Sequence, residues 1–199
     1  MPGERVKRYA KGEAREREIL EATIDLIYEE GISSVTHRSV ARQAGVALSA
    51  PSYFFPSIDD LIVEAFRSIV ATMMEGLEAL SARIEAEEMS REQAVEAYVE
   101  LALKTAPRYD KVQYEAYMFA ARRPVLRPDV DAAIAATHRK GSTLVTASRR
   151  KNFDWAAPIL TAYADGVALH RLASPPDGIG AKPLREGLLA LMDGLPDRD

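Results

Sequence analysis

Apolar positions recur along this chain every three to four residues, the spacing of helices buried on one face. Ile19, Ala22, Leu26 and Ile27 predict a first helix over 13–30, ended by Gly31. Thr36 is placed to cap a short helix, His37–Ala44, whose apolar side is Val40, Ala41 and Ala44. Gly45 follows where a positive φ costs glycine little. Val46 seals the turn, and Ser49 is placed to cap a second short helix with Pro51 in its first turn. Pro56 breaks the chain, and Ser57 caps the next helix with Asp59 and Asp60 at its positive end. From there Leu61, Ile62, Ala65, Phe66, Ile69, Val70, Met73, Leu77, Leu80 and Ile84 form a stripe more than six turns long.

The remaining pattern is helical as well. A helix over 92–106 carries Val95, Tyr98, Val99 and Ala102, and one over 110–121 carries Tyr114, Tyr117, Met118 and Phe119. Prolines 124 and 128 mark a loop. Residues 129–151 read as helix interrupted at Gly141, with Ile134, His138, Leu144 and Val145 expected to be buried. Two last helices, 155–173 and 182–195, flank the turn-rich SPPDGIG. The expected fold is all-α. It divides into a small amino-terminal part, 1–58, and a helical body, 59–199.

Two short helices joined by a glycine-containing turn of three or four residues form a helix–turn–helix unit. In such a unit the second helix enters the DNA major groove while the first crosses the backbone. Charge changes how this stretch is read. The chain has 30 acidic residues and a net charge of −4, yet residues 31–58 contain no acid, only Arg38 and Arg42 with His37 beside them. Residues 1–58 hold eight basic and eight acidic side chains, so the deficit belongs wholly to the body. A local basic footprint on an acidic protein suits specific DNA binding and repels DNA elsewhere. Residues 1–12, with Arg5, Lys7, Arg8 and Lys11, read either as a solubilising tail or as a flexible basic arm reaching phosphate or minor groove.

The motif T-x-R-x-V-A-x-x-A-G-V from Thr36 to Val46, then a short helix ending in aromatics, P-S and D-D-L, resembles the DNA-binding domain of TetR-type transcriptional repressors. The resemblance covers about 16–66, and the length and all-helical remainder agree with it. Where the family's second helix usually reads L-Y-x-Y/H-F, this chain has Pro51-Ser52-Tyr53-Phe54-Phe55, and Ile58 stands where a phosphate-binding lysine is common. The resemblance implies a double-stranded DNA operator, a small-molecule effector that is partly apolar, and a homodimer formed through the last two helices. For base readout Arg38 is the candidate, because its fork matches guanine O6 and N7. Thr36, His37, Ser49, Ser52 and Tyr53 are assigned to phosphates, and Ala50 to a thymine methyl. A helical ligand-binding or protein-docking module whose head no longer reads sequence is the other arrangement these residues allow.

Composition narrows the remaining classes. Apolar residues at 47% and charged ones at 28% are those of an ordinary globular protein. The start of the chain lacks the apolar core of a signal peptide, and no run of 18 apolar residues indicates a membrane partner. Zero cysteines excludes disulfides and cysteine-held metal, as expected of a cytoplasmic protein. No phosphate loop, nucleophile elbow or H-E-x-x-H motif occurs, so neither enzymatic chemistry, a cofactor nor a metal is expected. For the effector, Met73, Tyr98, Tyr114, Tyr117, Met118, His138 and Tyr163 are candidates. Their aromatic density is what a mainly apolar pocket with polar tips needs, and equally what a tightly packed bundle needs.

Overall fold

The computed structural model describes residues 2–86, 89–104, 107–123, 127, 128, 131, 135, 138–148, 150, 153–174 and 180–196, the side chains of 2–10 and 140 excepted. Every regular element among them is helical: α1 (Pro2–Glu30), a 3-10 turn (Ile32–Ser34), α2 (His37–Ala44), α3 (Ala50–Phe54), α4 (Ile58–Ala86), α5 (Arg91–Lys104), α6 (Pro107–Arg122), α7 (Arg139–Ser148), a second 3-10 turn (Asp154–Ala156), α8 (Ala157–Ala173) and α9 (Ala181–Gly194). No helix among the described residues is long and apolar enough to cross a membrane. The first departure from expectation is the arm. Its backbone is helical from Pro2 rather than flexible. Glu, Lys, Arg and Ala dominate that stretch, and their helix propensity outweighs the roughly 1 kcal/mol cost of Gly12.

The chain forms two compact units: Met1–Ile69 with Val112–Val130, and Val70–Lys111 with Asp131–Asp199. They differ from the linear division at residue 58 because α4 and α6 each contribute to both. A continuous apolar stripe contains no signal for where its neighbours change.

In the first unit α1 packs on α2 and α2 on α3. Ile19, Ile24, Leu26 and Ile27 of α1 are buried with Val35, Val40, Phe55, Leu61 and Ile62. Thr23 is buried too, its hydroxyl donating to the Ile19 carbonyl at 2.8 Å. The last turns of α6 belong here. Tyr117 meets Phe66 edge to face at 5.8 Å and Tyr114 at 6.2 Å.

In the second unit α5 packs on α7 and α9, and α8 on α7 and α9. Val95, Val99, Leu144, Leu160, Leu188 and Met192 fill the interior. Gly141 does not interrupt a helix. It lies near the start of α7, buried, where a Cβ would collide with the Ala157 carbonyl that opens α8. Its N–H donates to Thr161 Oγ1 at 3.1 Å, and that hydroxyl donates to the Ala157 carbonyl at 2.9 Å. Leu144 and Val145 are buried as expected, Ile134 lies outside the described residues, and His138 is exposed. The His138 carbonyl accepts the N–H groups of Gly141 and Ser142, which sets it at the open start of α7, where an imidazole meets solvent. Arg150 closes α9, donating to the carbonyls of Met192 and Leu195 at 2.6 and 2.7 Å while stacking on Phe153.

Candidate nucleic-acid interface

The reading unit is built from local chemistry. Thr36 and Ser39 form a reciprocal capping box at the start of α2: the Thr36 hydroxyl accepts the Ser39 N–H at 3.0 Å, and the Thr36 N–H donates to the Ser39 hydroxyl at 2.9 Å. Gly45 ends α2 with φ of 63°, and the Val46 N–H returns to the Ala41 carbonyl at 3.0 Å. Such a left-handed turn costs a residue with a Cβ roughly 1–2 kcal/mol. It redirects the chain into α3 within five residues.

Ser49 does not cap α3 through its side chain. Its backbone is already helical, with φ −81° and ψ −10°, because the Ala50 N–H closes a turn onto the Ala47 carbonyl. The second helical position is Pro51, which has no N–H to receive. The Ser49 carbonyl instead accepts from the Tyr53 N–H and the Ser52 hydroxyl, both at 3.1 Å. Pro51 and Phe55 are buried and hold α3 to the core, while Tyr53 is 82% exposed with its ring edge against Phe54.

His37 has a position its sequence neighbourhood did not suggest. Its Nε2 lies 2.9 Å from the Phe55 carbonyl, 18 residues away. A carbonyl only accepts, so Nε2 carries the hydrogen and ties the first turn of α2 to the last of α3. The side chains left exposed on these two helices and their turn are Thr36, Arg38, Arg42, Gln43, Ala47, Leu48, Ser49, Ser52 and Tyr53, with Ala50 half-buried. Arg38 and Arg42 make no ion pair among the described residues. Leu48, 64% exposed, offers a larger apolar surface than Ala50. The signal for it was available: one leucine in an acid-free turn, off the apolar stripe of either helix.

Acids return at the start of α4, where Asp59 and Asp60 both have partners. Asp60 accepts from the Ser57 hydroxyl at 2.7 Å and N–H at 3.2 Å, and the Ser57 hydroxyl accepts the Asp60 N–H at 3.0 Å. Asp59 is paired with Arg123, whose guanidinium also lies over the Phe119 ring at 4.6 Å.

The second unit contains a cavity of about 260 Å³. α4 contributes Thr72, Met73, Gly76 and Leu77; α5 contributes Tyr98, Leu101, Ala102 and Lys104; Tyr109 and Asp110 come from α6. Ala164, Asp165, Ala168 and Arg171 of α8 and Leu184 of α9 complete it. Of the residues expected at an effector site, Met73 and Tyr98 are here. Tyr114, Tyr117 and Met118 belong to the first unit, where the tyrosines pack and Met118 is 59% exposed. His138 is exposed, and Tyr163 donates its hydroxyl to the Pro183 carbonyl at 2.7 Å, lying over Gly187. Asp165, Ala168 and Arg171 share one helical face at spacings of three, a spacing visible in the sequence but not among the residues expected there. Burial, followed by the negative charges of Asp165 and then Asp110, pushes the Tyr98 phenol above its ordinary pKa, so it stays protonated.

Known proteins share both parts of this architecture. The family model for "Bacterial regulatory proteins, tetR family" matches residues 19–65, and that for "Tetracyclin repressor-like, C-terminal domain" matches 89–198. The HTH-type transcriptional regulator PksA of Bacillus subtilis (strain 168) is 24% identical over 178 residues, 82% of this chain and 81% of its own. The solved structure of the TetR family member SCO1917 from Streptomyces coelicolor A3 superposes with a TM-score of 0.71 at 28% identity, covering 89% of this chain and 97% of that one. The multidrug binding protein EbrR complexed with ethidium gives 0.67 at 26% identity, covering 89% and 98%. With one family model matching the reader and another matching more than half of the chain, this protein belongs to the TetR family, DNA-binding transcriptional regulators with ligand-binding carboxy-terminal domains.

Proposed function

We propose that this protein is a homodimeric repressor that holds a near-palindromic operator and releases it when a small molecule enters the cavity of the second unit. The observation that carries the DNA half is the reading face: two arginines without an ion pair among the described residues and an outward Tyr53, on a helix–turn–helix stretch with no acid. Arg38 reads a guanine edge, Thr36, Ser49 and Tyr53 donate to phosphates, and Ser52 does so by turning its hydroxyl away from the Ser49 carbonyl. His37, engaged with Phe55, holds α3 at its angle to α2. Leu48 joins Ala50 as a surface for thymine methyls.

Dimerisation through α8 and α9 is supported by an apolar face on α8, where Ile159, Ala162, Leu169 and Ala173 are exposed. Two readers related by a two-fold axis reach half-sites about 34–36 Å apart, or a multiple of that. EbrR in complex with ethidium supports a small organic effector for this chain. Such a ligand acts by binding better to the spacing of readers that does not fit DNA, with α4, common to both units, as the lever.

The test is selection of bound sequences from random duplexes, using protein refolded from denaturant to strip any co-purified ligand. An enriched near-palindrome whose affinity falls steeply with salt is the expected result. No enrichment at low and moderate salt would overturn the repressor reading.

A further inference from the structure

One polar group in the cavity wall lacks a partner where bulk solvent is scarce. Tyr98 is 3% exposed and lines the cavity, and its hydroxyl makes no hydrogen bond among the described residues. The oxygen is not cut off from open space, so what it opens onto is the cavity. The other polar groups of the wall are engaged or wet. Thr72, Asp110 and Asp165 have partners. Lys104 is exposed and faces Glu100 at 3.8 Å. Arg171 lies in the last turn of α8, where the helix dipole favours a cation, and Tyr109 is only half-buried.

A buried phenol normally finds a partner. Its O–H donates well and its oxygen accepts poorly, because the lone pair is shared with the ring, so the missing partner is an acceptor. Burial is the first cause of the raised Tyr98 pKa, ahead of Asp165 and then Asp110. Burial penalises charge of either sign, on a ligand as on the phenol. Met73, Leu77, Ala164 and Leu184 add apolar wall. The volume of about 260 Å³ sits just below the roughly 300–1,000 Å³ usual for small-molecule sites, which selects a compact ligand.

We propose that the cavity takes a compact, uncharged, mainly apolar molecule with a carbonyl oxygen, which accepts the hydrogen bond of the Tyr98 hydroxyl. This deepens the effector-binding reading and rests on it. A hydrocarbon would fill the space and leave the hydroxyl without a partner. An ammonium has no acceptor to offer it. A carboxylate has one, but must shed its hydration to reach a buried phenol.

The experiment is calorimetric titration of the full-length protein, without DNA, at neutral pH. The probes are 1-indanone, indane as the same frame without the carbonyl, protonated 1-aminoindane and indane-1-carboxylate. Indanone is expected to bind at least about tenfold more tightly than either ion, since each ion loses the hydration of a charge. Tyr98→Phe should weaken indanone about fivefold and leave indane unchanged. Ala168→Leu, which puts bulk into the cavity wall, should weaken both.

Equal or tighter binding of either ion by the unaltered protein would overturn the proposal, and this comparison needs no variant to fold. Absence of indanone binding at millimolar concentration would overturn it too. So would a Tyr98→Phe protein that keeps the parent's ratio of indanone to indane affinity, or an Ala168→Leu protein that binds both as the parent does. Operator release is then measured separately. Indanone binding without release refutes the effector reading but not the carbonyl site; release by aminoindane and not by indanone refutes the site but not the reading.

Discussion

Gly141→Ala is the substitution for which the structure gives the clearest sign. In an ordinary helix this change is favourable by about 0.8–1 kcal/mol, because alanine loses less backbone entropy. At Gly141 the added methyl collides with the Ala157 carbonyl, a backbone group that no rotamer change can move aside. α7 must back away from α8. Overpacking of this kind costs about 1–3 kcal/mol, and stretching the 3.1 Å bond from Gly141 N–H to Thr161 Oγ1 costs up to about 1 kcal/mol more. The net expectation is destabilisation of about 1–3 kcal/mol, or a fall in Tm of roughly 2–12 °C for a chain of this size. Gly12→Ala is the control. It lies in α1 with nothing within 4 Å of a Cβ, so it should be neutral or raise stability by up to about 1 kcal/mol. Thermal melts followed by circular dichroism, at matched protein concentration, read both. A Gly141→Ala protein as stable as the parent would refute the close approach of α7 and α8, and equal effects at the two sites would refute the argument from space.

Further expectations concern the reader and the dimer. Arg38→Ala should cost about 1–3 kcal/mol of operator affinity and relax preference at one base pair per half-site, read by gel shift on a mutated-operator panel; uniform weakening across all sequences would make Arg38 a phosphate clamp instead. Tyr53→Phe should leave the melting temperature unchanged, given its exposure, yet weaken DNA binding by about 1 kcal/mol; a lowered Tm with intact binding would contradict that. Thr36→Ala removes one half of the capping box and should lower stability by about 0.5–2 kcal/mol in urea titration, an effect too small to detect being the contrary outcome. Replacing Ile159 and Leu169 together with Glu should convert the dimer to monomer in sedimentation analysis, since both side chains are exposed on α8; an unchanged dimer would place the interface elsewhere.

What could be read from the sequence alone was what depends on neighbours within one turn. Helix periodicity, the Thr36 and Ser57 caps and the left-handed Gly45 are decided by side chains and backbone groups three or four residues apart, so the spelling contains them. The reader was legible for the same reason, together with a shortage of acids that needs no coordinates to see. Ser49 marks the limit even locally: a turn begun at Ala47 and the missing N–H of Pro51 outcompeted a good capping residue. Beyond one turn, periodicity says which face of a helix is apolar and not what that face meets. Tyr98 and Tyr117 look alike as aromatics on helical stripes, yet one lines a cavity and the other packs on Phe66. His37 binding the Phe55 carbonyl, Gly141 against Ala157, and Asp165 brought to the same space as Asp110 are relations between distant stretches. They arise only when helices pack at definite distances and angles, and that geometry decided which of the many polar residues line a cavity.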